Sequence, residues 1–365
     1  MRILIIEDNI ETVRGICDNA EDAGWEQEVC DFDESSKIIL DFNPDIIVMD
    51  WMYDVENIDR GEPIFKEIYE NGFRPTIIFS AVADTIDLPD YMKNTPLIEI
   101  IKKGDEQIVI NRINEWEPYI SAVKNLRSEM NNALLTSIQV VDNFMKMEKY
   151  PGDDVLKYML KKRTTFYFDK EYIGNIPPAW IQYEYPPIHD TFLVADIIRI
   201  YSDKTNINGV GKPDEYRIIL TPSCDMARAK NGFIILVAKC KEANMFSDDA
   251  QISGEELKDE NIVTAKREKL IHSLNTGYNH SKVALPLLPN KIPYMTIDLR
   301  KLEQIRIGDI AKSEKEIKEN TKYYRVASVS SPFREQIVWA YMINSCRPGM
   351  PDRDMITWAE GILKK

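Results

Sequence analysis

Histidine is scarce in this chain: His189, His272 and His280 are the only three in 365 residues, too few and too scattered for a His-rich metal centre. The five cysteines (Cys17, Cys30, Cys224, Cys240, Cys346) are odd in number, widely spaced and without a Cys-x-x-Cys pair. That pattern argues against a zinc site and a disulfide framework and leaves reduced thiols. No apolar run reaches membrane-spanning length and no signal-peptide pattern is present, so a cytoplasmic protein is expected. Internal repeats and low-complexity tracts are also missing. Basic charge is short at one end only: the first 120 residues hold 28 acidic against 10 basic side chains, while the whole chain has a net charge of −14. An acidic first part repels a phosphate backbone, so any contact with nucleic acid would fall to the second part.

What is present is a strand–helix alternation over those first 120 residues. Ile3 to Ile6 is an apolar run too short for a helix, followed at once by Glu7 and Asp8. The runs DIIVMD, TIIFSA and LIEIIKK repeat the pattern, with helix-like stretches between them. Such a repeat predicts a doubly wound parallel sheet with helices on both faces. In that architecture the C-terminal ends of the strands share one edge, where ligands sit. Glu7 and Asp8, Asp50, Ser80, and the lysine pair Lys102 and Lys103 would all meet there. Three carboxylates on one edge repel unless a cation neutralises them, and a hard divalent ion held by oxygens, Mg²⁺ above all, suits the task. A hydroxyl and a lysine nearby could hold a phosphoryl group attached to Asp50.

This set of strand ends, in this order, resembles the receiver domain of two-component response regulators over roughly residues 1–118. The resemblance implies Asp50 as phosphoacceptor, Glu7 and Asp8 as Mg²⁺ ligands with the Met52 main-chain carbonyl, Ser80 as a phosphoryl contact, and a histidine kinase as donor. The spacing of Val109 and Ile110 favours Lys103 as the paired lysine, while the count from Ser80 suits Lys102 as well. Three positions depart from the family: Gly104 follows Lys103 where proline is usual, the loop WMYDVENIDRG lacks its proline and is long, and Ile100 replaces the aromatic switch residue. The same fold could therefore also serve as an unphosphorylated scaffold or a phosphate sink.

Residues 119–163 read as a helical connector. Val123, Leu126, Met130, Leu134, Ile138, Val141 and Phe144 recur at helical spacing, a stripe that needs burial and predicts a homodimer. Residues 164–365 turn aromatic and β-rich, from TTFYF onward, and predict an α+β output domain closing with the helix FREQIVWAYMI. Its strand rhythm weakly resembles the SH3-like barrels of ribonuclease toxins, which makes a receiver-controlled nuclease the competing reading. The turn TPSCDMA carries Ser223, Cys224 and Asp225, with Arg217 on the preceding strand, as a possible output site. Its plainer reading is a turn that caps a short helix, with Cys224 buried. Arg325, Arg334 and Arg347 could form a phosphate-contacting face, although no DNA-reading module is visible.

Overall fold

The computed structural model describes the chain except residues 54–57, 60, 71, 89–91, 94, 146–151, 169–175, 203–204, 245–264, 347–352 and 364–365. It divides into two compact units, Met1–Ile173 and Gly174–Lys365.

Unit 1 is built on five parallel strands: β1 (Arg2–Ile6), β2 (Glu26–Cys30), β3 (Ile46–Met49), β6 (Thr76–Ser80) and β7 (Ile98–Lys102). A small hairpin, β4 (Met52–Tyr53) with β5 (Ile58–Asp59), stands apart from them. The sheet order is β2-β1-β3-β6-β7, the doubly wound order whose switch point lies between β1 and β3. Alternation along the strands separates two apolar layers. Leu4, Ile6, Ile47, Met49 and Ile78 pack with Ile39 of α2 (Ser35–Phe42) and with Ile64, Phe65 and Ile68 of α3 (Gly61–Glu70). Ile3, Ile5, Ile46, Val48, Ile77 and Phe79 pack on the other face. There they meet Ile16 and Ala20 of α1 (Arg14–Asp22) and Val109, Ile113 and Trp116 of α4 (Glu106–Met145). Coverage on both faces is why the strands read as unbroken apolar runs.

Helix α4 runs for 40 residues without interruption. Residue 118, expected to close the receiver, lies inside it and is a proline whose missing N–H removes one helical hydrogen bond. Lys124, farther along α4, reaches the opposite end of the sheet, with its ammonium 3.0 Å from the buried Asp45 carboxylate. Helix α5 (Asp153–Phe168) follows, and residue 163 falls within it. Thr164–Phe168, read from its aromatic and β-branched content as a strand, is instead the end of α5, because DDVLKYMLKK sets a helical run that continues through it. Among the described residues no helix is long and apolar enough to cross a membrane.

Unit 2 carries a largely antiparallel sheet: β9 (Asp196–Ile200), β10 (Tyr216–Ile219), β11 (Ile234–Glu242), β12 (Lys282–Leu285), β13 (Met295–Arg306), β14 (Ile310–Ala311) and β15 (Tyr323–Val329). The order is β12-β13-β11-β10-β9-β15-β14, and β8 (Tyr183–Glu184) adds to β15. The strand path is open between β12 and β14 among the described residues. Ile197, Ile218 and Ile297 face one core with Ile337 and Ala340 of α8 (Phe333–Ser345), while Ile198, Ile219 and Val237 face a second with Phe192, Ile307 and Ile310. Before α8 come α6 (Ser223–Met226) and α7 (Ala265–Thr276), and α9 (Met355–Leu363) follows it.

Arg325 is no phosphate contact. A register shift in β15 between Arg325 and Ala327 accompanies a guanidinium that is buried. It pairs with Asp196 at 3.2 Å and donates to the main-chain oxygens of His189, Thr191 and Lys312 at 2.6, 2.9 and 3.0 Å. Ser328 closes the network by donating to Asp196 at 2.6 Å. Arg334 donates to the Val329 carbonyl at 2.9 Å, and Arg347 lies outside the described residues. Removing Arg325 leaves the buried Asp196 carboxylate without its counter-charge and takes a donor from three carbonyls. Arg325→Ala is expected to destabilise unit 2 by about 3–5 kcal/mol, read as a lower urea midpoint in circular dichroism.

Candidate functional site

Four strand ends build the site. β1 delivers Glu7 and Asp8, β3 delivers Asp50, β6 ends in Ser80, and Lys103 follows β7. Main-chain bonds hold these ends in register: Asp50 N donates to Ile6 O at 2.9 Å, and Lys103 N donates to Ser80 O at 3.1 Å. Glu7 and Asp50 are 3% and 2% exposed, so both carboxylates are withdrawn from bulk water. Lys103 answers both. Its Nζ lies 2.7 Å from Asp50 Oδ2 and 2.9 Å from Glu7 Oε2.

Lys102 does not share in this. It pairs with Asp84 at 3.4 Å on the surface, with both side chains largely exposed. Neighbouring residues at a strand end point in opposite directions, so one lysine of the pair can enter the site. That lysine is Lys103. Gly104, directly after it, has φ +103°, a conformation that glycine adopts without strain and that turns the chain into α4. The glycine standing in the place of a proline thus has a backbone reason.

Burial pushes the Glu7 carboxyl up to about 7, partly offset by its hydrogen bond from Lys103. Burial also works against the Lys103 charge, but the hydrogen bonds that its ammonium donates to Asp50 and Glu7 outweigh it and the ammonium is held above its ordinary value. Main-chain donors add to the field around the carboxylates. Asn9 N reaches Glu7 Oε1 at 3.2 Å, and Trp51 N and Met52 N reach Asp50 Oδ1 at 2.6 and 3.4 Å. Among the described residues, two polar atoms of the site have neither a hydrogen bond nor an ion-pair partner: Asp8 Oδ1 and the fully buried Ser80 Oγ. Glu7, Asp8 and Asp50 each offer an oxygen within 4.8 Å of the others, a spacing that suits one hard cation. An oxygen-only donor set with an unsatisfied Asp8 oxygen fits such an ion.

Sequence reasoning missed the collar around Asp50. Gly61 N donates to Trp51 O at 2.9 Å, and a Cβ on Gly61 would lie 2.7 Å from Trp51 Cα. The glycine ending WMYDVENIDRG was the available signal. Residues 54–57 of that loop lie outside the described residues.

The residues singled out in unit 2 do not assemble in this way. Ser223 Oγ accepts from Val194 N at 2.9 Å, so it ties the start of α6 to the strand layer. Cys224 is exposed rather than buried, with its thiol 3.5 Å from Asp225 Oδ1. Arg217 is bound to Glu303 at 2.5 Å and to the Asp214 and Tyr216 carbonyls. Among the described residues no histidine hydrogen-bonds to Cys224 or Asp225.

Unit 1 therefore has the receiver fold, established by its strand order and strand-end carboxylates. No family model and no curated protein matches the chain. Several solved structures are similar over about a third of it. The N-terminal domain of a response regulator/sensory box/GGDEF three-domain protein from Carboxydothermus hydrogenoformans is 20% identical, with 33% of this chain and 98% of that one covered and a TM-score of 0.29. The Francisella response regulator 1452 receiver domain is 22% identical, with 32% and 98% covered and a TM-score of 0.26. The N-terminal domain of the nisin resistance regulator NsrR, a lantibiotic response regulator, is 25% identical, with 30% and 91% covered and a TM-score of 0.25.

Lys103→Met would strand two buried carboxylates without a counter-charge. It is expected to destabilise unit 1 by about 3 kcal/mol in thermal or urea unfolding. Lys102→Met, which breaks an exposed pair, should leave the midpoint within experimental error.

Proposed function

We propose that this chain is a phosphorylation-regulated signalling protein, a response regulator whose Asp50 accepts a phosphoryl group from a histidine kinase. The observation that carries the reading is the buried Asp50 gathered with Glu7 and Asp8 and held by Lys103, beside a Ser80 hydroxyl with no partner. Glu7, Asp8, Asp50 and the Met52 carbonyl would hold Mg²⁺. Bound there, Mg²⁺ supplies charge neutralisation for two anionic groups brought together.

The chain's own residues account for the rest. An Asp50 carboxylate oxygen attacks phosphorus, a P–O bond forms, and the P–N bond to the donor imidazole breaks, with the nitrogen keeping the electron pair. Lys103, already 2.7 Å from Asp50, moves with the new negative charge and pairs with a phosphoryl oxygen. Ser80 Oγ donates to the same group and gains the partner it otherwise lacks. Trp51 N and Met52 N fix the carboxylate rotamer, which keeps the attacking oxygen oriented.

The reading extends to a homodimer through the connector helices and to output by protein interaction in unit 2. Arg217 is committed to Glu303, and Ser223 to Val194 N, which weighs against a nuclease built on those two groups.

Incubation with Mg²⁺ and a small-molecule phosphodonor is expected to add one phosphoryl group by intact-protein mass, and Asp50→Asn to abolish it. Equal labelling of Asp50→Asn would remove Asp50 from the reaction. RNA and DNA incubated with the protein, phosphorylated or not, should stay intact. Cleavage that Asp225→Asn eliminates would install the nuclease reading instead.

A further inference from the structure

Helix α4 belongs to the receiver core only as far as Ile120, the last of its residues in the apolar layer with Val109, Ile113 and Trp116. Past that point its buried side chains among the described residues are Ala133, Ser137 and Val141. Thr164 Oγ1 of α5 donates to Ser137 Oγ at 3.1 Å, which places this small-residue strip against α5. Close approach of the two helices leaves their larger apolar side chains outside the contact. α5 has no buried residue at all.

Between the two helices lies a groove of about 720 Å³, walled by Met130 and Leu134 on one side and by Leu156, Leu160 and Phe168 on the other. Leu135, Val155 and Tyr158 of the same two helices are 58%, 45% and 65% exposed. Two helices have no interior of their own; an apolar face this wide is closed by a further layer of helices.

The charges on α5 identify that layer. Its N-terminal end carries Asp153 and Asp154, and its C-terminal part carries Lys161, Lys162 and Arg163. A two-fold axis crossing the helix at Tyr158 sets position 154 against 162 of the other copy, both one turn from Tyr158 on the same face. Each end then meets its opposite in charge. Side-by-side parallel pairing would place acid against acid and base against base. The helix macrodipoles favour the antiparallel choice too. A hairpin face built on a 16-residue helix is about 24 Å long and about 20 Å wide. With side-chain relief this approaches the roughly 800 Å² per partner typical of stable complexes.

We infer that the α4–α5 hairpin pairs with the same hairpin of a second copy, antiparallel about a two-fold axis, to form a four-helix bundle. The inference rests on the homodimer in the reading above and adds its geometry. Because the apolar face is already exposed with Asp50 unmodified, pairing does not wait for phosphorylation.

The test uses the full chain and two charge variants. Asp153→Lys/Asp154→Lys sets base against base at positions 154 and 162, and Lys161→Glu/Lys162→Glu sets acid against acid there, with far-UV circular dichroism confirming retained helix. Wild type and Asp50→Asn are expected to sediment as dimers. Each charge variant alone should self-associate at least about tenfold more weakly, and an equimolar mixture of the two should recover the dimer. Dimers of undiminished affinity in both variants, or a mixture that stays monomeric, would overturn the antiparallel pairing. A wild type monomeric at every workable concentration would overturn the interface itself, including when it binds anionic vesicles instead. Asp50→Asn that dimerises while the wild type takes no phosphoryl group would refute the phosphorylation reading alone.

Discussion

One ammonium group organises the first unit. Lys103 Nζ lies within 2.9 Å of two carboxylates that are almost wholly withdrawn from water, and each belongs to a different strand. Without that charge, Glu7 and Asp50 would repel each other in a medium where repulsion is poorly screened. With it, the ends of β1, β3 and β7 are drawn together at the edge where the sheet changes direction. The same contact holds Asp50 oriented while leaving Asp8 and Ser80 with unused capacity among the described residues. Stability and reactivity therefore share one set of atoms, and any event that gives Lys103 a better partner loosens one end of β7.

The second unit solves a comparable problem in a different way. Arg325 and Asp196 are a buried pair, but the guanidinium also gathers main-chain oxygens from the segments around residues 189–191 and 312. Burial raises the Asp196 carboxyl, and the Ser328 and Arg325 hydrogen bonds pull it back. Here the satisfied charge closes loops over a sheet edge. Nothing in it is left unpartnered for a ligand.

These two networks differ in how visible they were in the sequence. The receiver strands were legible because burial on both faces turns Ile3–Ile6, Ile46–Met49 and Thr76–Ser80 into apolar runs with polar ends. Choosing between Lys102 and Lys103 was not possible by counting, since adjacent residues alternate sides and the backbone at Gly104 decides which one turns inward. The Arg325 network joins residues more than a hundred positions apart, so its arginine looked like a surface contact. Thr164–Phe168 misled for a local reason: its β-branched and aromatic side chains favour strands, yet it completes a helix already propagating from Asp153. In TPSCDMA the plainer reading expected a buried Cys224, but the thiol is exposed, while Ser223 and Arg217 are held by Val194 N and Glu303.

Helix α4 has a mechanical consequence. Its 40 residues form a rod about 60 Å long that starts three residues after Lys103, just past the turn at Gly104. Lever arithmetic then applies to the stretch past Lys124, the 21 residues to Met145 or about 32 Å: a tilt of about 5° there carries the far end through about 3 Å. The ion pair between Lys124 and Asp45 clamps the rod partway along its length, at the opposite end of the sheet. It acts as a fulcrum brake: the stretch from Gly104 to Lys124 is held straight against the sheet, and gain is reserved for the stretch beyond. With Ile100 in the fifth strand, the length of the helix that Lys103 adjoins is the structural means by which a change at the strand ends would reach a distance.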